Sequence, residues 1–296
     1  MTMQSVLLKV VADYREEGAL IPDCIKSRME QLFKIQGEGS DHVISICMCH
    51  LNLLMEIDPD WVKEILIPML DWQHPASEPA WNGLLCVEFP NPKLTQAIKP
   101  YFLNLFPTIE GFTWDQYHYE KAAEWLGYMN IFNRDQPDGL TNNEMRNMLR
   151  SMSDITRNGF INWLGCVGRK NDNGWTDLVV PLINDVWPKD KRLKTSASVM
   201  EWIRILGGSG DSFPVVFEAV KELLIQVEMG AFPLYPFKKG DHSIVVSFPE
   251  QMLDLIDRIT LNYPQPSYFS EVRKILDTVA DTNPELKSHP KYRRLI

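Results

Sequence analysis

The residues of this chain that could bind a metal ion are concentrated in one segment, which contains Cys47, Cys49 and His50. Thiolates and imidazoles are the usual zinc ligands, and a structural site needs four of them around one ion. The surrounding apolar run, residues 43–57, predicts a helix buried on most sides. Helical residues two apart point about 200° away from each other, so the two thiols cannot reach one ion. We therefore interpret the segment as core and expect no metal site.

Catalysis would require histidines, carboxylates or glycines in a recognisable arrangement. None of the histidines lies in the H-E-x-x-H spacing or in another local ligand pattern; they are His42, His50, His74, His118, His242 and His289. Asp254 and Asp257 are three residues apart, which is more typical of a solvated helix face than of a catalytic pair. We expect no catalytic residue and no cofactor. The alternative is a hydrolase site that Asp and His side chains form on separate loops.

The glycine-rich segment at residues 207–211 does not match a phosphate-binding loop. That kind of loop needs a preceding strand and a Lys followed by Ser or Thr, and this segment has neither. Glycines that supply a positive φ at the end of a helix are the better interpretation.

The strongest local charge feature is the loop at residues 187–194, WPKDKRLK, in an otherwise acidic chain. Its four cations are Lys189, Lys191, Arg192 and Lys194. They could contact an acidic protein or a phosphate backbone, or they could simply be solvated between two helices. Weak sensing of nucleic acid through residues 189–194 is therefore a second alternative function.

Tryptophan is frequent, with nine residues, and most of them fall within helical patterns that predict burial. Trp72 and Trp187 instead stand at predicted helix ends, where we expect partial exposure. An exposed Trp beside Arg or Lys is typical of a residue that anchors a protein interface. The predicted partner-binding residues are therefore Trp72, Trp187, Lys189, Lys191, Arg192 and Lys194.

The elements that must position these residues are predicted to be helices throughout. Thr141-x-x-Glu144 and Ser198-x-x-Glu201 have the spacing of capping boxes, which supply partners to the first N–H groups of a helix. Pro68 and Pro181 lie inside helical patterns and are expected to kink or split them. Residues 232–248 are the least helical stretch, and we expect an irregular loop or short hairpin there.

A repeated arrangement of Trp and Pro sets the predicted architecture. Trp61, Pro68, Trp81 and Phe89-Pro90 recur roughly 115–125 residues later as Trp175, Pro181, Trp202 and Phe213-Pro214. Repeats of this kind stack into arrays in which each unit buries a face against its neighbour. We predict an all-α fold, an irregular α-solenoid with HEAT-like repeats and about 12–14 helices. The two halves of this continuous array are residues 1–110 and 111–296.

Composition limits the classes of function. The 296 residues are 45% hydrophobic and 23% charged, which is typical of a folded globular protein. A net charge of −9 argues against a general nucleic-acid binder, which needs clustered cations. Five irregularly spaced cysteines favour a reducing cytoplasm over a disulfide framework. The residues predict neither a signal peptide nor a membrane span, because the longest apolar run is too short to cross a bilayer.

Several segments resemble the helical C-terminal region, of unknown function, of bacterial sirtuin-like proteins. The resemblance is carried by WNGLL (81–85), LTQAIKPYFLNLF (94–106), the stretch 179–216, FPEQMLDLIDRI (248–259) and HPKYRRLI (289–296). It covers roughly residues 50–296, with P-L-I-x-x-V-W-P-K-D and G-D-x-F-P as its motifs. In that family the region follows an NAD-consuming domain, in large multidomain proteins associated with anti-phage defence.

The resemblance implies a non-enzymatic sensor, scaffold or oligomerisation arm. No NAD-binding glycine motif or strand–helix alternation precedes it here, so no catalytic residue can be carried over. We predict a cytoplasmic interaction module that regulates or scaffolds a sirtuin-like effector in bacterial defence. Its expected partner is a protein, either an effector domain or a phage component, and it could form oligomers. Nucleic acid and membranes are not expected partners.

Overall fold

The computed structural model describes residues 20–35, 37–87, 89–108, 111–227, 234–238, 242–260 and 266–296. These residues are helical apart from their connections and one isolated bridge between Val227 and Thr260. The predicted all-α class is therefore confirmed. The described residues form 17 α-helices, more than expected, because apolar runs are divided at positions such as His50.

The chain divides into two compact units, residues 1–144 and 145–296. The boundary that we predicted after residue 110 lies inside the first of these units. The α-helices that begin within the first unit are α1 (Asp23–Phe33), α2 (Glu38–Cys49), α3 (Leu51–Ile57), α4 (Pro59–Trp61), α5 (Ser77–Leu85), α6 (Pro92–Leu105), α7 (Gln116–Ile131) and α8 (Asn142–Ser151).

The second unit continues from α8 with shorter and more varied elements. Its α-helices are α9 (Asp154–Lys170), α10 (Val180–Asp185), α11 (Ser196–Gly207), α12 (Phe213–Val220), α13 (Tyr235–Lys238), α14 (His242–Ser247), α15 (Pro249–Ile259), α16 (Pro266–Thr282) and α17 (Pro290–Leu295). Helices α13 and α14 replace the irregular loop or hairpin expected in residues 232–248. Of that stretch, residues 232–233 and 239–241 lie outside the described residues.

Each unit contains a π-helical turn that ends two residues before a proline. Residues 62–66 form the first turn, and the N–H of Ile67 donates to the carbonyl of Val62, five residues earlier. Residues 174–179 form the second, and the N–H of Val180 donates to the carbonyl of Trp175. Pro68 and Pro181 follow, and a proline ring clashes with the carbonyl four residues before it in a regular α-helix. A wider turn relieves that clash, so the two predicted copies share a local structure.

Helices α2 and α5 of the first unit pack directly against each other. Ser45 Oγ donates to the carbonyl of Pro79 at 2.8 Å, and Cys49 Sγ donates to the carbonyl of Gly83 at 3.2 Å. From the first hydrogen bond to the second, the donor and the acceptor each move four residues toward the C-terminus. The two helices therefore run in the same direction at this contact. A Cβ atom on Gly83 would lie only 2.1 Å from the carbonyl oxygen of Ser45. Glycine is what allows the two backbones to approach so closely.

Helices α9 and α11 form the corresponding pair in the second unit. Ser198 Oγ donates to Asn158 Oδ1 at 3.2 Å, and Gly165 faces Ile205 two turns further along. These helices also run in the same direction, with the turn at residues 174–179 and α10 between them.

Hydrogen bonds between elements recur at similar sequence separations in both units. Ser45 and Pro79 are 34 residues apart, Lys99 and Gly139 are 40 apart, and Asp254 and Lys291 are 37 apart. Helical repeats of about 34–47 residues give separations of this size. The solenoid itself stays a prediction.

The hydrogen bonds at the first turns of α8 and α11 show whether the two predicted capping boxes form. Glu144 Oε2 accepts from the N–H of Thr141 at 2.8 Å and Thr141 Oγ1 accepts from the N–H of Glu144, which confirms the first capping box. The second capping box was wrong: α11 begins at Ser196, and Thr195 caps it by accepting from the N–H of Ser198. Ser198 itself is buried within the helix.

Candidate partner-binding surface

The basic loop at residues 187–194 connects α10 to α11 and is held at both ends by buried side chains. Trp187 and Pro188 are buried at its start, and Leu193 is buried at its end, within a 3₁₀ turn at residues 191–193. Between these anchors the exposed side chains are Lys189, Lys191 and Arg192. A loop fixed in this way presents its cations in a defined place, which lowers the entropic cost of binding.

Trp187 is a core residue, and the expectation that it would be partly exposed was wrong. Only 4% of its surface is accessible. Its ring centroid lies 4.7 Å from that of Trp202 in an edge-on arrangement and 6.2 Å from that of Phe160 in a stacked one. Aromatic pairs with these geometries stabilise a core beyond their buried area. The indole therefore fixes the loop from inside and is not available to a partner.

Two arginines of α8, which the sequence analysis missed, extend the basic loop. Arg150 Nε donates to Asp190 Oδ2 at 3.1 Å, and the Arg146 guanidinium donates to the carbonyl of Asp185. We call Arg146, Arg150, Lys189, Lys191 and Arg192 the basic surface. The sequence did carry a signal for the two arginines, because they are four residues apart and so lie on one helix face.

One carboxylate organises the basic surface without neutralising it. The hydrogen bond from Arg150, together with the nearby charges of Arg150 and Arg192, lowers the pKa of Asp190 below its ordinary value. Asp190 is therefore ionised at neutral pH and orients Arg150. The basic surface has five cations and Asp190 is a single carboxylate, so the surface stays positive although the net charge of the chain is −9. The surface is suited to carboxylate or phosphate groups, which accept charge-assisted hydrogen bonds from Arg and Lys.

Lys194 does not belong to the basic surface, although it was predicted with the other cations. Its ammonium group donates to the backbone carbonyl of Glu222, which ties the end of the loop to the segment after α12. Its side chain is half-buried. The structure thus gives Lys194 a contact within the chain.

Trp72 lies in the first unit and is exposed as expected, with 49% of its surface accessible. It stands in the connection between the 3₁₀ turn at residues 67–70 and α5. Ser77 Oγ donates to its backbone carbonyl at 3.4 Å, so the backbone is held while the indole faces solvent. The structure adds another exposed aromatic feature in this unit. Tyr128 and Phe132 form a pair whose ring centroids are 5.0 Å apart.

Three of the histidines, His74, His118 and His289, take part in local structure. His74 Nδ1 and His289 Nδ1 accept from the N–H groups of Ala76 and Lys291. His118 Nδ1 lies 2.6 Å from Asp115 Oδ1, and the same Asp115 caps α7. Over the part of the chain that the structure describes, no three Cys, His, Asp or Glu side chains form a group that could hold a metal ion.

The prediction that Asp254 and Asp257 lie on a solvated helix face was wrong, because both carboxylates are paired with cations of another helix. Lys291 Nζ donates to Asp254 Oδ1 at 2.6 Å, and the Arg294 guanidinium contacts Asp257. Arg258, one turn after Asp254 on α15, adds a bond of 3.3 Å to its other oxygen. These ion pairs attach the C-terminal helix α17 to α15, so the two carboxylates serve packing.

The chain is 24% identical over 186 residues to an uncharacterized protein, y4cA, of Sinorhizobium fredii (strain NBRC 101917 / NGR234). The match covers 59% of this chain but 15% of that protein, so the chain spans a small part of its relative's length. No protein-family model matches the chain. No solved structure matches it.

Among the described residues, none forms a helix with both the length and the apolar character needed to traverse a lipid bilayer.

Proposed function

We propose that this chain is a non-catalytic, helical-repeat interaction module that binds an acidic segment of a partner protein through its basic surface. The observation that carries the proposal is that buried side chains anchor both ends of the loop that bears the cations. Trp187 and Leu193 are buried on either side of Lys189, Lys191 and Arg192, so the cations are held by the core. A merely solvated loop would need no such anchoring.

The repeat spacing supports the architectural part of the proposal, an irregular α-solenoid. The two helices of each pair, α2/α5 and α9/α11, run in the same direction, with several shorter helical segments between them in the sequence. Stacked repeats place successive helices in this way, and they present extended surfaces to partners.

The finer part of the proposal is that the partner is a sirtuin-like effector in the bacterial cytoplasm. The resemblance of residues 50–296 to the helical region of such proteins motivates it. The similarity to 15% of a longer Sinorhizobium protein is consistent with a region that works beside other segments. Co-purification of the tagged chain from its native host, with and without phage infection, tests this part. Recovery of an NAD-consuming protein would support it, and its absence under both conditions would remove it.

The basic surface itself is tested with a defined probe, a fluorescein-labelled peptide of twelve Asp and Glu residues. We expect the chain to raise its fluorescence anisotropy at low salt, and the double variant K191E/R192E to bind at least about tenfold more weakly. The matched control is K63E/K93E, which makes the same change of charge at exposed lysines of the first unit. Equal loss in both variants would show that net charge alone determines binding, and would contradict the proposal.

A single-stranded oligonucleotide provides the competing arm of the same experiment. Tighter binding of the oligonucleotide than of the acidic peptide, with a steep loss on adding salt, would favour nucleic-acid sensing instead. The net charge of −9 repels both probes. The order of their affinities, and not binding as such, therefore distinguishes the two functions.

A further inference from the structure

Two thiols, Cys49 and Cys86, meet where α2 packs against α5. Cys49 Sγ donates to the carbonyl oxygen of Gly83 at 3.2 Å. The backbone N–H of Cys86 donates to the same oxygen, also at 3.2 Å. Both residues are free cysteines. One carbonyl therefore holds the sulfur of one cysteine next to the backbone of the other.

The contact that holds the thiols together is rigid. Ser45 and Gly83 touch through their backbones, and Ser45 Oγ donates to Pro79 one turn before the cysteine contact. Neither helix can shift at this point without breaking a backbone approach that only glycine permits. Cys86 ends α5 and is exposed, whereas Cys49 is half-buried on the last turn of α2.

The environment of Cys49 gives the two sulfurs different roles. Burial raises the pKa of Cys49 to about 11, and the neighbouring Cys86 thiol adds to the rise. Cys49 is thus protonated at neutral pH and only partly accessible to solvent. The exposed Cys86 is the sulfur that a dissolved oxidant reaches first.

We propose that Cys49 and Cys86 form a modification site at which a hydroperoxide converts the two thiols into a disulfide that joins α2 to α5. The inference does not depend on the proposed function.

The chemistry balances with hydrogen peroxide as the two-electron oxidant. The Cys86 thiolate attacks one peroxide oxygen, the O–O bond breaks, and the departing hydroxide takes a proton to become water, leaving a sulfenic acid. Cys49 then attacks the Cys86 sulfur, the S–S bond forms, and the S–O bond breaks. The second hydroxide takes the proton that Cys49 loses. Two thiols and one peroxide therefore give one disulfide and two waters, and a dithiol reductant reverses the change.

The disulfide would close a loop containing residues 50–85, which includes α3, the first π-helical turn and Trp72. Closing such a loop restricts the unfolded chain more than the folded one. We expect oxidation to raise the thermal midpoint of the first unit by roughly 5–10 °C, and the reductant dithiothreitol to reverse that gain.

Mass spectrometry of the full chain tests the proposal. The chain is incubated with hydrogen peroxide, its remaining thiols are blocked with N-ethylmaleimide, and it is digested without reductant. We expect a cross-linked pair of peptides containing Cys49 and Cys86, which dithiothreitol separates. Irreversible oxidation of Cys86 without that cross-link would overturn the proposal, as would linkage of Cys86 to Cys24 of a second chain.

Variants separate the roles of the two sulfurs. In C49S, the Cys86 sulfenic acid should persist and react with dimedone, whereas in C86S, Cys49 should stay reduced. The matched control is C24S, which removes another exposed thiol and should leave the yield of cross-linked peptide unchanged. Dimedone labelling of Cys86 in the unaltered chain equal to that in C49S would show that Cys49 does not resolve the sulfenic acid.

Discussion

At the scale of single residues, Gly83 determines how closely α2 and α5 can pack. An added Cβ would lie 2.1 Å from the backbone oxygen of Ser45, and a backbone atom cannot rotate away. Gly83→Ala should therefore push the helices apart and lower the free energy of unfolding of the first unit by roughly 2–3 kcal/mol. Chemical denaturation followed by circular dichroism measures this change.

Gly39 is the matched control for that substitution, because it lies on α2 with no atom within 4 Å of an added Cβ. Gly39→Ala should leave stability unchanged or raise it by up to about 1 kcal/mol, since alanine favours the helix. Equal losses in the two variants would show that the helix contact is not the cause.

Two tryptophans show that the sequence alone did not predict which side chains are buried. Trp72 and Trp187 each stand within three residues of a following proline at a predicted helix end, and both were expected to be partly exposed. Trp187 is buried because Phe160 and Trp202 pack around its ring, and both lie on other helices. Local composition contains no information on such tertiary partners. Local charge did identify Lys189, Lys191 and Arg192 as exposed, because solvated cations need no partner.

At the scale of elements, the start of α11 provides a test of capping. Thr195 Oγ1 accepts from the N–H of Ser198, which would otherwise lack a partner in the first turn. Thr195→Ala should cost about 1 kcal/mol of the stability of the second unit. Ser196→Ala, one residue further on at an exposed position, should have almost no effect in the same denaturation experiment. A larger effect at Ser196 would mean that the helix begins elsewhere.

The same helix shows why the second predicted capping box was wrong while the first was confirmed. The spacing rule identifies candidate pairs but does not decide which hydroxyl precedes the helix. Around α11, Ser198 has the required Glu201 three residues later, but Thr195 is the hydroxyl that precedes the helix and caps it. Glu201 instead pairs with Arg204 at 2.7 Å. At Thr141 a single hydroxyl was available, so the rule identified the correct residue. The π-helical turns were predicted only as kinks, because proline indicates where a helix is disturbed but not how.

At the scale of the whole molecule, we expect low pH to destabilise the fold because it changes the net charge of the chain. The 39 carboxylates lose charge as the pH falls, while the 30 Lys and Arg side chains keep theirs. Near the pI of 5.2 the net charge is close to zero, and well below it the chain becomes strongly positive and repels itself. Carboxylates paired in the folded state add a specific contribution to this general effect.

Asp254 is such a carboxylate, and it links the C-terminal helix to the rest of the second unit. Burial tends to raise its pKa, but the hydrogen bond from Lys291 and the charge of Arg258 outweigh burial and hold the pKa below its ordinary value. A lowered pKa in the folded state stabilises the fold above the ordinary Asp value, and that stabilisation is lost as the pH falls through the folded value. We expect thermal midpoints to fall between about pH 5 and pH 3.

Asp254→Asn should lower the thermal midpoint at pH 7 and make its decline below pH 5 shallower, because the titrating group is gone. Asp281→Asn is the control, since that carboxylate is exposed and lies 4.0 Å from Lys287. It removes the same charge from the same unit, so it should leave the slope close to that of the unaltered chain. Parallel curves for Asp254→Asn and the unaltered chain would show that general charge repulsion, and not the attachment of α17, governs acid unfolding.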